Sequence, residues 1–271
     1  MATEIELKKV ENLVVNRVFN ILKKFPYLGS ALMSTKVEIS NENPNALAFT
    51  DGKRIVVNPD ILLEIVDKLP ENDRYIEIND VVESQSVVAH VLLHELIHIL
   101  DSHVLAGRKI GADQFLGNIV ADVITNNMIL NALELRIPDN FLKNIITFDN
   151  LSEIIEKSYG VYIDREEIAK LSEKYKPGEL TFDQLYYWIK KKIEEQERKG
   201  KGKGKRPRPG QKPQPDIEGY PGKKLNDNPW VNYPIDEREI ERERDRISRE
   251  ALNGAVSRTG SPYGSGNETR I

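Results

Sequence analysis

The chain has 271 residues and a formal charge of −4, long enough for one core of about 150–200 residues with extensions, or for two small domains. It contains no cysteine, which excludes disulfide bonds and thiolate metal sites and fits a reducing compartment. The first nine residues are polar and no apolar run reaches the length of a membrane span, so we expect a cytoplasmic protein with neither a signal peptide nor a membrane anchor.

The N-terminal part of the chain predicts a helix, a connector and a strand. Apolar residues recur at helical spacing over residues 5–24, opposite a charged face, so this helix should pack on the core. Residues 26–34 have the composition of a connector, and residues 36–39 are a candidate for a short strand. We expect the helix to serve as scaffold.

A β-hairpin and a short helix are expected next. Two β-prone runs, residues 46–49 and 54–57, flank Thr50-Asp51-Gly52-Lys53, and an Asp-Gly turn between such runs indicates a hairpin. If the hairpin borders a substrate cleft, its free backbone groups could bind an extended peptide by strand addition; the alternative is a simple cover of the core. Residues 60–68 predict a short helix and residues 71–79 a polar link.

The chain is organised around residues 87–104, which contain the H-E-x-x-H pattern His94-Glu95-Leu96-Ile97-His98. In a helix, His94 and His98 lie one turn apart, so both imidazoles can bind one metal ion with Glu95 beside it. Zinc suits such a site, and Glu95 suits the base for an activated water. The stretch is apolar on nearly every side, which is typical of a buried helix. Histidines buried there need partners; the alternative to a metal is hydrogen bonding within the core.

One helix cannot complete this site. His90, His94 and His98 form one stripe, but a helix rises about 1.5 Å per residue, so His90 and His98 lie about 12 Å apart along its axis and cannot share a tetrahedral zinc. His103 points off the stripe unless the helix ends before it. Asp101 falls on the face of His94 and could orient a ligand or cap the surface. We therefore expect the third ligand from another segment, with His90, Asp101 and His103 as supporting residues or substitute ligands.

The best third ligand is Asp122, within a second predicted buried helix over residues 115–133. A carboxylate midway along a buried helix is costly unless it is paired, and two such helices facing each other across a metal would satisfy both polar stripes. Alternatively, Asp122 makes a structural hydrogen bond or orients a histidine. His103 and Asp113 are the substitute candidates for the third ligand.

The C-terminal half predicts more helices and then a change of composition. Helical patterns cover residues 151–158, 165–174 and 182–197. Residues 197–234 form a basic linker rich in lysine, glycine and proline, which we expect to be disordered. Residues 235–271 hold a highly charged helix, with Ile240, Ile247, Ala251 and Leu252 as its apolar anchors, and a loose end. We thus expect one domain over residues 1–196 and two extensions.

Several short motifs occur together within residues 20–140. They are Pro26-Tyr27-Leu28-Gly29-Ser30, Thr50-Asp51-Gly52, Val57-Asn58-Pro59, Ala89 to His98 with His103, Asn118 to Asp122, and Asn126. Together they resemble a family of predicted metallopeptidases whose members usually continue into a von Willebrand A-like domain. The charged helix, with Ala251, Ala255 and Gly260, is similar to the family's closing helix. No von Willebrand A-like domain is expected, because the chain stops about where it would begin.

These expectations combine into an α+β, mainly helical fold whose zincin-like core sets a small β-hairpin or sheet beside a buried metal-binding helix. The predicted function is zinc-dependent hydrolysis of peptide bonds: His94, His98 and Asp122 bind Zn²⁺, and Glu95 is the general base. A peptide or protein is the expected substrate, and a protein partner could bind the C-terminal region. The alternative is a non-catalytic scaffold stabilised by zinc. Nucleic acid is not an expected partner, because solvated spacers account for most such basic linkers.

Overall fold

The computed structural model of the protein describes residues 3–44, 46–68, 87–174, 179–198 and 236–259. Its contacts divide the chain into two compact units. The first unit takes in Met1–Ser102, Arg136–Pro138 and Asn232–Ile271, and the second takes in His103–Leu135 and Asp139–Val231. The predicted polar link of residues 71–79 lies outside the described residues, as does almost all of the predicted linker of residues 197–234.

The first unit opens with helices α1 (Glu4–Lys24), α2 (Pro26–Ser34) and α3 (Pro59–Lys68). Thr3 and Glu6 form a capping box at the start of α1, each side chain accepting a hydrogen bond from the other's backbone N–H. The prediction of a connector over residues 26–34 is wrong. Pro26 stands at the first helical position, where its missing N–H costs nothing, and α2 buries Gly29, Ser30, Ala31 and Leu32.

A small mixed sheet follows α2. Strands β1 (Lys36–Ile39), β2 (Ala48–Thr50) and β3 (Arg54–Val57) lie in the order β1-β3-β2. β3 pairs antiparallel with β2 and parallel with β1, so the predicted hairpin is confirmed and the early strand joins it. Gly52 in the turn has φ of 90°, a conformation that favours glycine.

The histidine-rich stretch forms helix α4 (Val87–Leu100), which packs on α1, α2 and the two hairpin strands. The helix ends four residues before the predicted Val104, because Ser102 has φ of 53° and interrupts it. Helix α5 (His103–Lys109) begins directly afterwards. No single helix in the described ranges has both the length and the apolar character to cross a membrane; α4 and α5 meet those two criteria only as a pair.

Every regular element in the described part of the second unit is a helix. Its remaining elements are α6 (Gln114–Asn127), a π-helix (Met128–Ala132), α7 (Asp139–Leu142), α8 (Phe148–Tyr159), α9 (Arg165–Lys174) and α10 (Phe182–Arg198). Val120 of α6, Leu151 of α8 and Leu185 of α10 are fully buried in one apolar cluster. The three predicted C-terminal helices are therefore confirmed, while the predicted helix over residues 115–133 changes to π-helical form at Met128.

The last described element, helix α11 (Glu237–Thr259), belongs to the first unit and packs mainly on α2. Ile240, Ile247, Ala251 and Ala255 are fully buried. Leu252, predicted as an anchor, is 44% exposed, because Ala255 instead continues the buried stripe one turn after Ala251. The molecule is thus mainly helical with a small three-stranded sheet, which confirms the predicted α+β class.

Candidate metal site

Helix α4 holds its two motif histidines with their rings in contact. The Nε2 atoms of His94 and His98 lie 2.9 Å apart, and the ring planes meet edge to face at 72°. Two nitrogens bound at about 2.0–2.1 Å to one tetrahedral zinc ion would lie about 3.3 Å apart. The pair therefore needs only a small adjustment to bind one ion. A single N–H···N hydrogen bond between neutral rings is the other arrangement that this spacing permits.

Burial along α4 differs between the two motif histidines. Every residue of this 14-residue helix is buried except His94 and Leu100. His98 is 3% exposed and Glu95 is 9% exposed. His94 is therefore the motif histidine that solvent partly reaches, while His98 and Glu95 are buried within the packing of the helix.

Helix α6 begins after Asp113 and contains Asp122, two of the acidic candidates for the third ligand. Asp113 is the N-cap of this helix, and its carboxylate accepts hydrogen bonds from the Leu116 N–H at 2.9 Å and from the Tyr159 hydroxyl at 3.1 Å. The substitute ligand Asp113 is therefore engaged at the helix end. Asn118 and Asp122, one turn apart, are only partly buried within a run of buried residues.

The predicted ligand atoms come together. One nitrogen of His94, one nitrogen of His98 and one carboxylate oxygen of Asp122 all lie within 4.8 Å of one another, so these three residues could hold a metal ion. Among the described residues no other histidine or acidic residue belongs to this group. These three ligands of the described part of the chain would leave one position of a four-coordinate ion for a further ligand.

The three predicted supporting residues, His90, Asp101 and His103, lie in three different surroundings. The His90 ring lies 5.8 Å from the His94 ring, between centroids. The His103 ring lies 5.9 Å from the ring of Phe182, within the second unit. Asp101 follows the end of α4; it is exposed as a residue, yet desolvation of its carboxyl group raises its pKa to about 6. None of the three belongs to the ligand group in the described part of the chain.

A separate pocket lies in the second unit. It has a volume of about 260 Å³, and it is lined by residues 162–164, by Glu167 of α9 and by the last part of α10, where Lys192 pairs with Glu167. None of the predicted site residues lines it. The chemistry expected from the sequence is therefore not in this pocket.

Two arrangements around the site had no recognisable sequence signal. Asn126, four residues after Asp122, is 2% exposed and donates a hydrogen bond to the backbone carbonyl of Ile146 at 2.8 Å. Arg244, far along the chain, donates to the Ser102 hydroxyl just beyond α4. Both contacts join segments that are distant in sequence, so spacing alone could not indicate them.

Comparison with family models, with curated proteins and with solved structures finds no match to this chain. The resemblance to metallopeptidases stays a prediction that rests on the motifs.

Proposed function

We propose that the protein is a zinc-dependent metallopeptidase with a zincin-like core. The observation that carries this proposal is the group formed by His94, His98 and Asp122, whose ligand atoms lie within 4.8 Å of one another. Two imidazole nitrogens and one carboxylate oxygen are a donor set that suits zinc with one open position. A zinc ion held there supplies a Lewis acid that acidifies water and polarises a carbonyl group.

We assign the role of general base to Glu95. It follows His94 directly on α4 and is 9% exposed. In the proposed reaction, the Glu95 carboxylate accepts a proton from the attacking water and passes it to the departing amine. Glu95 lies within the apolar packing of α4, which limits the access of bulk water to its carboxylate.

The hairpin offers a place for the substrate backbone. β2 stands at one edge of the described sheet and packs against α4. An extended peptide could pair with the free backbone groups of this edge, and its side chains would then alternate between the two faces of the sheet. The substrate class that fits this arrangement is an unfolded protein segment or a peptide.

Substitution of Glu95 by glutamine tests the reaction. The change keeps the size of the side chain and removes its basic oxygen, so we expect zinc content equal to wild type and hydrolysis of an unfolded protein slowed by at least about a hundredfold. Zinc content by elemental analysis and cleavage by mass spectrometry measure the two quantities. Equal cleavage by both proteins would remove Glu95 from the mechanism.

A zinc-stabilised scaffold makes a different prediction for the same pair of proteins. It predicts bound zinc in both and cleavage by neither. It also needs a surface for a partner, and α11 exposes Leu252 and Val256, at 44% and 42%, beside its buried stripe. The observation that favours the enzyme is the coordination position left open by the three ligand residues of the described part of the chain.

A further inference from the structure

The turn that ends the metal-binding helix is held from the C-terminal helix. α4 ends at Leu100, and Ser102 has φ of 53°, a conformation that costs free energy in a residue other than glycine. The Ser102 hydroxyl accepts a hydrogen bond from Nη1 of Arg244 in α11 at 3.0 Å. Because strained backbone persists only where its surroundings hold it, this bond helps to fix the turn.

Arg244 is itself oriented for this contact. Its Nε and Nη2 atoms both donate to Oδ1 of Asp245, at 3.1 and 2.8 Å. One edge of the planar guanidinium is thus held by a carboxylate, and Nη1 is directed to Ser102. A pre-oriented guanidinium loses little rotamer freedom when it makes a further hydrogen bond.

The rest of α11 is fixed along its length against the first unit. Arg246 Nη2 donates to the backbone carbonyl of Ser34 at 2.6 Å. A Cβ atom added to Gly254 would lie 2.8 Å from Oγ of Ser30, so the two helices meet closely at this point. Near the other end of α11, the side chain of Ile240 lies against Gly52 in the hairpin turn. Arg244 therefore extends from a helix whose position is set by many contacts.

The site needs this end of α4 to stay ordered. His98 lies in the last turn of the helix, two residues before Leu100. Helix ends fray, because their last carbonyl groups lack intrahelical partners. Metal ligands must be held within about 0.5 Å of the productive geometry, so fraying of the last turn would withdraw His98 from an ion that His94 still binds.

We propose that α11 is a clamp on α4, with Arg244 as the positioning residue, and that docking of α11 and binding of the metal favour each other. The inference rests on the metal site of the proposed function but not on peptidase activity. Coupling between two binding events is reciprocal: the clamp raises affinity for zinc, and zinc strengthens docking of α11 by the same factor.

Zinc affinity of the full chain tests the clamp. Competition with a chromophoric chelator is measured for wild type, Arg244→Ala and the control Arg249→Ala, which removes an exposed arginine from the same helix. We expect zinc affinity to fall on the order of tenfold in Arg244→Ala, the loss of one charge-assisted hydrogen bond, and to stay unchanged in Arg249→Ala. Equal affinities for these two variants would overturn the proposal.

A variant of the acceptor separates positioning from general stability. Ser102→Gly removes the hydroxyl but relieves the strained φ, so we expect unfolding stability close to wild type with weaker zinc binding. The double variant Ser102→Gly with Arg244→Ala should bind zinc no more weakly than Arg244→Ala alone, because each change removes the same hydrogen bond. Additive losses would contradict the pairing, and Ser102→Gly decides the question if Arg244→Ala does not fold.

Hydrogen exchange measures the reciprocal effect. Zinc should slow exchange of α11 amides in wild type and slow it much less in Arg244→Ala, with α9 of the second unit as the internal reference. Identical protection in the two proteins overturns the clamp alone. A wild-type chain that binds no zinc overturns both the clamp and the proposed site.

Discussion

The glycine at the centre of α2 shows how single residues set the geometry of the first unit. A Cβ atom added to Gly29 would lie 2.1 Å from the Cα atom of Leu22 in α1. Backbone cannot withdraw as a flexible side chain can, so this position admits only glycine. The close packing of α2 on α1 therefore depends on the absence of a side chain at Gly29. Because α11 packs on α2, the position of α11 depends on it as well.

We expect Gly29→Ala to destabilise the protein by about 2 kcal/mol or more, the cost of overpacking a rigid contact. Gly107 in α5 is the matched control, because a Cβ atom there would make ordinary contacts at 3.7 and 3.9 Å. Gly107→Ala should be neutral or stabilising by up to about 1 kcal/mol, since alanine favours a helix. Urea unfolding measures both changes. Equal effects of the two substitutions would contradict the close approach of α1 and α2.

At the scale of elements, α11 is held on the first unit by charged side chains as well as by its narrow stripe of buried apolar residues. Arg246 donates to both carboxylate oxygens of Glu243, at 2.9 and 2.6 Å, and this contact keeps the pKa of Glu243 below its usual value of 4.5. The same guanidinium reaches the Ser34 carbonyl of α2. Glu243 therefore orients the side chain that ties α11 to α2.

This pairing gives α11 a dependence on pH with a defined sign. A carboxylate whose pKa is lowered by folding stabilises the folded state above its unfolded pKa, and the contribution is lost as the pH falls through the folded pKa. We expect Glu243→Gln to speed hydrogen exchange of α11 at pH 7, and the difference from wild type to shrink as the pH falls below about 4.5. A difference that stays constant with pH would contradict the role of the ion pair.

The sequence predicts those elements whose signal is local. The H-E-x-x-H helix, the Asp-Gly hairpin and the helices of the second unit follow from periodicity and turn chemistry. The sequence does not predict α2, because Gly29, Ser30 and Ser34 lower its intrinsic helix propensity; the helix is stabilised by packing against α1 and α11. Tertiary contact also decides the anchors of α11, where the buried stripe takes the small Ala255 and leaves the larger Leu252 exposed.

At the scale of the whole molecule, the chain forms two units, and the C-terminal helix belongs with the N-terminal residues. α2 and α11 lie about two hundred residues apart in the sequence, so a division of the chain by composition assigns them to different segments. In the structure the two helices pack together. The pairing of His94 and His98 follows from helical spacing alone. The prediction of Asp122 as the third ligand rests on the cost of burying a carboxylate. Asp122 is only partly buried, but the three ligand atoms lie close together.

Zinc coordination in the full chain tests the central claim most directly. X-ray absorption at the zinc edge, with elemental analysis, should show one ion per chain, with nitrogen and oxygen ligands at about 2.0–2.2 Å. His98→Gln and Asp122→Asn should each lower zinc affinity by at least about tenfold, while His103→Gln should retain it. A wild-type chain without zinc, or His98→Gln and His103→Gln with equal zinc affinity, would contradict the account.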